Sequence, residues 1–572
     1  MKVAFISVAF LIFLFGLTVL FLKPIGRKSS KTTIADIAVC GPVYNSEIQP
    51  AADGKFIVPL PGWGHHSYPV STKTDSSQFF FDQGLSMYYG YHFKEAVASF
   101  KESARFDPEN AMAFWGQALA MGPYYNAAHS YTKPAELVSV LKEMNGKIAR
   151  TTPKEKLLID AMNSRYSNDA TDSQRESLNI AYAEKLKNAM VAEPGNDDIH
   201  ILYVDANMLI HAWDFWNKNG TPKAWTAELV DVCKKVLERN PKHPAALHYY
   251  IHLTEASQHP EVALGSAETL RDLLPGVAHM VHMSSHEYER NGLYAKGVEV
   301  NNLADDNLKY YDLLAKNLSL AKASPHYFAV QTYCALTGGM YKEAMRYALR
   351  TRKSVMPTYE TTYDQYLYML PVMTLVRHGK WEEILRDSIR IDSRWTYASL
   401  LSDFAKGLAF LNTDQIDSAS ANLERLRLKS KDPILTKRRI PFNSPVQIAK
   451  IAEKTLEGAI LFSQKQHIKA IASLEKAVEL EDKLIYTEPK DWPVPTRQFL
   501  GAYLLKAGKP ALAEKVYRLD LVYNPGNGWS GLGLYNSLVA QRKTKQAAGY
   551  KTKFQESFAH ADEIPSSSVW MK

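Results

Sequence analysis

Cysteine is nearly absent from this 572-residue chain, which carries only Cys40, Cys233 and Cys334. Three thiols cannot build a disulfide framework, and no Cys-x2-Cys pair offers a thiolate metal site or a dithiol redox centre. The common phosphate and nucleophile motifs are missing as well. There is no G-x4-G-K-[ST], no G-x-S-x-G, and no G-x-G-x-x-G placed after a strand pattern. That sets aside the usual kinase, hydrolase and dehydrogenase designs. Net charge is small once it is located. Of the formal +8, five positive residues lie in the first 31 positions, where no acid stands, so the remaining body carries +3. A body this close to neutral lacks the concentrated basic face that nucleic-acid binding requires.

Long apolar runs are confined to Val3–Leu22, a stretch of 20 uncharged residues. That length suffices for one bilayer-spanning helix. A cleaved signal has a shorter apolar core, about 7–15 residues, followed closely by small residues. Here the nearest small-residue site, Ala35–Ala38, lies well past the run. An uncleaved membrane anchor over residues 3–22 is expected. Four cations after the span and Lys2 before it would keep the body cytoplasmic by the positive-inside rule. A short basic tail before a long apolar stretch is instead the usual export signal. The expected location is membrane-anchored on the extracytoplasmic, periplasmic side, with the cytoplasmic orientation as the alternative.

What the chain has in quantity is helical repeat pattern. Residues 23–78 are rich in Pro, Gly, Ser and Thr and read as an extended linker, with a docking segment around His65 and His66. From residue 79 a helix–turn–helix signature begins. Gly84, Ala96, Phe100 and Pro108 fall at positions 8, 20, 24 and 32 of a 34-residue unit. Residues 79–430 form an irregular array, 431–446 a proline-containing linker, and 447–563 a regular set of repeats in which Gly501, Ala513, Tyr517 and Pro525 take the same positions. Such units cannot bury their apolar faces alone and stack into a solenoid. The predicted fold is all-α, a tetratricopeptide-like solenoid behind the N-terminal transmembrane anchor.

One polar pattern occurs twice in that array. His248, His252 and Glu255 are followed 34 residues later by His282, His286 and Glu289. Residues at i, i+4 and i+7 share one helical face, so each trio occupies positions 5, 9 and 12 of a first helix, with His279 at position 2 of the second unit. First helices of such repeats line the concave groove. Two chemistries suit the pattern. Histidines at i and i+4 offer two nitrogens to one metal. Four His and two Glu suit a divalent transition metal, Zn, Fe, Mn or Cu. The same positions also suit a polar groove that binds a peptide or protein partner. Tyr249 and Met283 stand where a zinc protease would place its glutamate base. A histidine pair at helical spacing is ordinarily groove surface or an interior polar pair, and duplication of a repeat can copy a packing contact.

Further motifs form a set: Gly64-His65-His66 with Pro69-Val-Ser-Thr72, Phe81-Asp-Gln-Gly-Leu85, Trp213-Asp214-x-Trp216, His248-Tyr-Tyr-Ile-His252 with Glu255-Ala-Ser257, His279-x2-His282-Met283-x-Ser285-His286, and Asn524-Pro-Gly-Asn-Gly-Trp529. With these the chain resembles a family of large bacterial tetratricopeptide-repeat proteins over most of its length after residue 58. It departs from that family at Ser284, where proline is usual, and at His92, where asparagine is usual; neither position is a candidate ligand. The resemblance implies the solenoid fold and a shared histidine-rich centre, and carries no assigned reaction.

Two functions therefore stand side by side. One is a membrane-anchored scaffold that binds a peptide or protein in its groove. The other is a metal-binding protein or metal-dependent enzyme with His248, His252, His282 and His286 as ligands and Glu255 and Glu289 as ligands or acid–base groups. In the second, His279, His65 and His66 are supplementary, provided the N-terminal segment folds back over the groove.

Overall fold

A computed structural model describes residues 47–126, 131–387, 389–437 and 443–571. The expected anchor at 3–22 lies outside the described residues, among which no helix is long and apolar enough to cross a membrane. Among the described residues there is no strand, only one isolated bridge between Trp216 and Pro222.

The helices come in antiparallel pairs. The first six pairs are α1 Asp75–Tyr89 with α2 Phe93–Phe106, α3 Ala111–Ala120 with α4 Leu137–Gly146, α5 Pro153–Ser164 with α6 Arg175–Ala192, α7 Asp197–Ile210 with α8 Ala224–Arg239, α9 Pro244–Thr254 with α10 Leu264–Leu273, and α11 Ala278–Arg290 with α12 Tyr294–Leu314. Six more follow: α13 Pro325–Thr337 with α14 Tyr341–Lys353, α15 Thr362–Arg377 with α16 Trp381–Arg386, α17 Thr396–Asn412 with α18 Ile416–Lys429, α19 Pro445–Ser463 with α20 His467–Glu481, α21 Thr496–Lys506 with α22 Pro510–Tyr523, and α23 Gly528–Ala540 with α24 Thr544–Ser557.

Close approach within the pairs follows from the repeat pattern. The Phe100 ring lies where a Cβ on Gly84 or Gly116 would come within 2.8 and 2.3 Å, and Tyr517 sits in the same way against Gly501 and Gly533. A bulky ring on a second helix thus seats between glycines of two successive first helices, the ridge-into-groove packing expected of such units. Two large apolar clusters result, Ile48–Leu320 and Ala329–Val569, the second including Ile434 and Leu435 from the 431–446 segment.

The array curls until its inner face is closed. Residues 47–74 carry no helix and lie against α1 and its neighbours, with Ile57, Leu60 and Tyr68 buried. Their backbone is held by side chains: Gln83 accepts from the Leu60 N–H at 2.8 Å, Asp82 from Tyr68 at 3.0 Å and Glu155 from Ser71 at 2.7 Å. On the other side the C-terminal pairs return to the centre. Trp529 Nε1 donates to the Thr337 carbonyl at 2.8 Å, and Arg290 donates to the carbonyls of Glu255, Ser257 and Tyr523 at 2.8–2.9 Å. First helices α9, α11 and α13 are thereby enclosed from both sides.

Candidate metal centre

Three first helices bring six histidines together. His248 and His252 lie one turn apart on α9, which is started by Pro244 and by the His243 ring accepting the Ala246 N–H. His279, His282 and His286 share one face of α11, and His326 is the second residue of α13 after the Ser324 cap and Pro325. All six are between 0 and 4 % exposed. They sort into two sets whose ligand atoms lie within 4.8 Å of one another: His248, His252 and His279, and then His282, His286 and His326.

The two sets are one arrangement used twice. Numbered from the starts of α9, α11 and α13, each combines positions 5 and 9 of one first helix with position 2 of the next. His326 completes the second set yet stands 47 residues after His279 rather than 34. Helix α12 runs for 21 residues, and the 315–324 connection adds more, so the register that placed the other five is lost there.

Hydrogen bonds fix how the rings are turned. The Nδ1 of His248 lies 2.7 Å from the Tyr89 carbonyl, so Nδ1 carries the proton and donates it. His282 Nδ1 donates to Asn301 Oδ1 at 2.6 Å; the Asn301 amide is itself oriented by donating to the Gly297 carbonyl at 2.8 Å. Glu255, the residue that ends α9, accepts from His252 Nδ1 at 3.1 Å and from His286 Nδ1 at 2.9 Å. Four imidazoles are thus held with Nδ1–H outward and the Nε2 lone pair toward the centre, as carboxylate- and carbonyl-oriented metal ligands are. The outcome is two Nε2–Nε2 contacts of 3.0 Å, between His248 and His279 and between His282 and His286. With the His286 proton on Nδ1, both facing atoms of the His282–His286 contact are lone pairs, a repulsive contact unless a cation lies between them. Nitrogens bound at about 2.0–2.1 Å to one tetrahedral ion stand about 3.3 Å apart, close to the spacing found.

A proton is a poor candidate for that cation. Burial, and in most cases the neighbouring rings, push His248, His279, His282 and His286 well below the ordinary histidine range, and burial takes His252 down to about 3. His252 Nε2 and His279 Nδ1 have no hydrogen-bond partner. Leaving a buried polar atom unpaired costs about 1–3 kcal/mol. Aromatic rings close the surroundings. Tyr91 lies 4.7 Å from His248 and 5.0 Å from His279, Tyr125 5.1 Å from His252, and Tyr327 4.1 Å from His282. Tyr91 and Trp213, which stands edge-on to His252 at 6.4 Å, both adopt left-handed backbone (φ 57° and 63°). For a bulky side chain that conformation costs about 1–3 kcal/mol and is held by its surroundings.

Glu488, on the connection between α20 and α21, is a further group that sequence pattern missed. Its carboxylate meets His286 Nδ1 opposite Glu255, and the three form a third close set. Burial raises both carboxyls well above their ordinary range, and the Glu255 charge raises Glu488 further. One imidazole N–H cannot serve two anions, so this pair holds a proton between them.

Several expected residues stand elsewhere. Glu289 lies outside the cluster, half-buried beside a small cavity shared with Arg290, Tyr333, Arg377 and Lys490. Its position repeats that of Glu255, but the next helix carries Tyr333 where a histidine would be needed to use it. His65 is exposed on the wall of a separate cavity of about 790 Å³. His66 Nε2 donates to the Asp198 carboxylate at 2.8 Å, whose same oxygen accepts from Tyr89 at 2.8 Å, with His243 Nε2 3.5 Å away. Burial disfavours protonated His66, but the Asp198 carboxylate outweighs it and raises the pKa. The N-terminal segment does fold back over the array, yet His66 supports the Tyr89 end of α1 and does not join the six.

No known protein-family profile matches the chain, and no curated protein matches it. Solved structures that resemble it include a human IFIT1 dimer with m7Gppp-AAAA, at 10% identity over 85% of this chain and 90% of that one, with a TM-score of 0.28. Yeast Tom70 matches at 10% identity over 84% and 93% with a TM-score of 0.27, and the P58(IPK) TPR domain at 12% identity over 58% and 89% with a TM-score of 0.17. Likeness this distant carries no argument about the site.

Proposed function

We propose that this chain is a metalloprotein whose centre holds two transition-metal ions, one on His248, His252 and His279 and one on His282, His286 and His326. The observation that carries the reading is the orientation of the rings: Nδ1–H groups tethered outward to Tyr89, Asn301 and Glu255 while Nε2 atoms converge at 3.0 Å. Packing alone gives no reason to aim buried lone pairs at each other. Of Zn, Fe, Mn and Cu, an all-imidazole donor set favours copper and zinc, and manganese, which prefers oxygen ligands, fits worst. Glu255 and Glu488 are then outer groups that orient His252 and His286.

The peptide-groove reading is not adopted, because His248, His252, Glu255, His282 and His286 of the expected groove are buried, and Glu289 is half-buried beside a separate small cavity. The test is metal analysis of the full-length protein, purified without chelator and after loading with copper or zinc and washing. Two equivalents per chain are expected, both lost when all six histidines are replaced by alanine. Substoichiometric metal after loading, in a folded protein, would sink the proposal.

A further inference from the structure

His248, His252, His282 and His286 each give an Nδ1–H to a carbonyl or side-chain oxygen. His279 does not: its Nδ1 is buried without a hydrogen-bond partner. Its Nε2 faces His248 Nε2 at 3.0 Å, where the first ion would sit. A neutral imidazole that gives Nε2 to a metal carries its proton on Nδ1. Metal binding therefore makes His279 Nδ1 a donor, and a buried donor needs an acceptor.

An acceptor of that kind shares a cavity with it. His279 and Glu95 both line an enclosed space of about 20 Å³. Glu95, in the first turn of α2, is 3 % exposed. Its carboxylate accepts from His92 Nδ1 at 2.8 Å through Oε1, while Oε2 is buried with no hydrogen-bond partner. Helix capping does not account for Glu95. A glutamate at its position commonly reaches back to the N–H of the residue before the helix. Here that N–H, of His92, already donates to the Met87 carbonyl at 2.9 Å. One orphaned nitrogen and one orphaned carboxylate oxygen thus line the same cavity. Its volume admits one water, which is stable where it finds polar partners. Leu308, Leu320 and Ala321, which also line it, offer none from their side chains.

We propose that Glu95 is a positioning residue for His279, acting through one water held in that cavity, an inference that rests on the metal reading above. The water accepts from His279 Nδ1 and donates to Glu95 Oε2, while His92 holds the other carboxylate oxygen. A carboxylate behind a metal-bound imidazole fixes its tautomer and orientation. Glu95 serves the His248, His252 and His279 set alone, whereas Glu255 holds one ring of each set.

The experiment measures zinc affinity of the full chain by chelator competition in two backgrounds. His326→Ala leaves the first set intact, and His279→Ala leaves the second. In His326→Ala, adding Glu95→Leu is expected to weaken zinc binding about 10–100-fold. Glu95→Gln, which keeps a hydrogen-bonding group in the cavity, should cost less. In His279→Ala neither change should alter affinity. No loss in His326→Ala, or a glutamine as damaging as leucine, overturns the inference. So does an equal loss in both backgrounds, which would mark Glu95 as a support of the fold. In each of these cases the bound zinc leaves the metal reading standing. Failure of the unsubstituted chain to bind copper or zinc at all removes the metal reading itself.

Discussion

His248 and His279 stand on different helices, 31 residues apart in sequence, and bring their Nε2 atoms to 3.0 Å with neither side chain more than 1 % exposed. His282 and His286 make the same contact within one helix. Because each set draws position 2 from the following helix, the two sets share no ligand. Removing one should leave the other.

His279→Ala is therefore expected to lower bound metal from two equivalents to one, and His326→Ala to do the same at the other set. The double variant should bind none. Mass-spectrometric metal analysis on folded, chelator-washed protein decides it. Loss of both equivalents from either single variant would mean one shared site in place of two.

Five of the six histidines that the fold gathers were legible in the sequence, four as candidate ligands and His279 as a supplementary one, because a 34-residue period repeats a helical face and helical spacing puts His248 with His252 and His282 with His286. The all-α array was legible for the same reason: glycines and prolines recur where helices touch and end. His326 was not, since the long α12 breaks the period before α13 begins. Glu289 was over-read, because repetition copies a position without copying the partner that gives it work. Glu488 carries no pattern at all; it lies in an irregular connection some 200 residues further on, and only the closing of the solenoid brings it to His286.

Glu255 ties the two sets together, holding one ring of each. Glu255→Gln keeps the size but can accept from only one of the two imidazoles while presenting N–H to the other. Loss of such an orienting group typically weakens metal binding about 10–100-fold. Competition with a chelator should show that loss at both sites, with a larger loss for alanine. An affinity unchanged within error in Glu255→Gln would remove the orienting role.

Metal retention should resist acid further than at an exposed histidine site. Folding lowers the pKa of His248, His252, His279, His282 and His286, so these rings are already neutral at pH 7 and protons compete for them only as pH falls toward the folded values, about 3 for His252. By the same sign the rings favour the folded state fully above the unfolded value near 6.5, and that contribution declines below it. Binding near neutral pH should release almost no protons, which titration calorimetry in buffers of differing ionisation heat will report. Loss of metal with a midpoint at about pH 6.5 would contradict the lowered values.

Besides the Gln83, Asp82 and Glu155 contacts, the 47–74 segment is held by a close contact between two glycines. The Gly276 N–H donates to the Gly62 carbonyl at 3.0 Å, Tyr311 donates to the Pro61 carbonyl at 2.8 Å, and a Cβ on Gly276 would lie 2.3 Å from that same Pro61 oxygen. Neither backbone can yield without lifting the 47–74 segment from α1 and the turn that carries Tyr91. Gly276→Val is thus expected to cost about 1–3 kcal/mol, within the range of overpacked sites. It should speed tryptic cleavage at exposed Lys55 and Lys73 and accelerate metal exchange. Gly265→Ala is the control, since nothing lies within 4 Å of its added Cβ, and in the α10 helix it should be neutral or stabilising by about 0.5–1 kcal/mol. Equal cleavage rates in the two variants would show that the segment is held by something other than this contact.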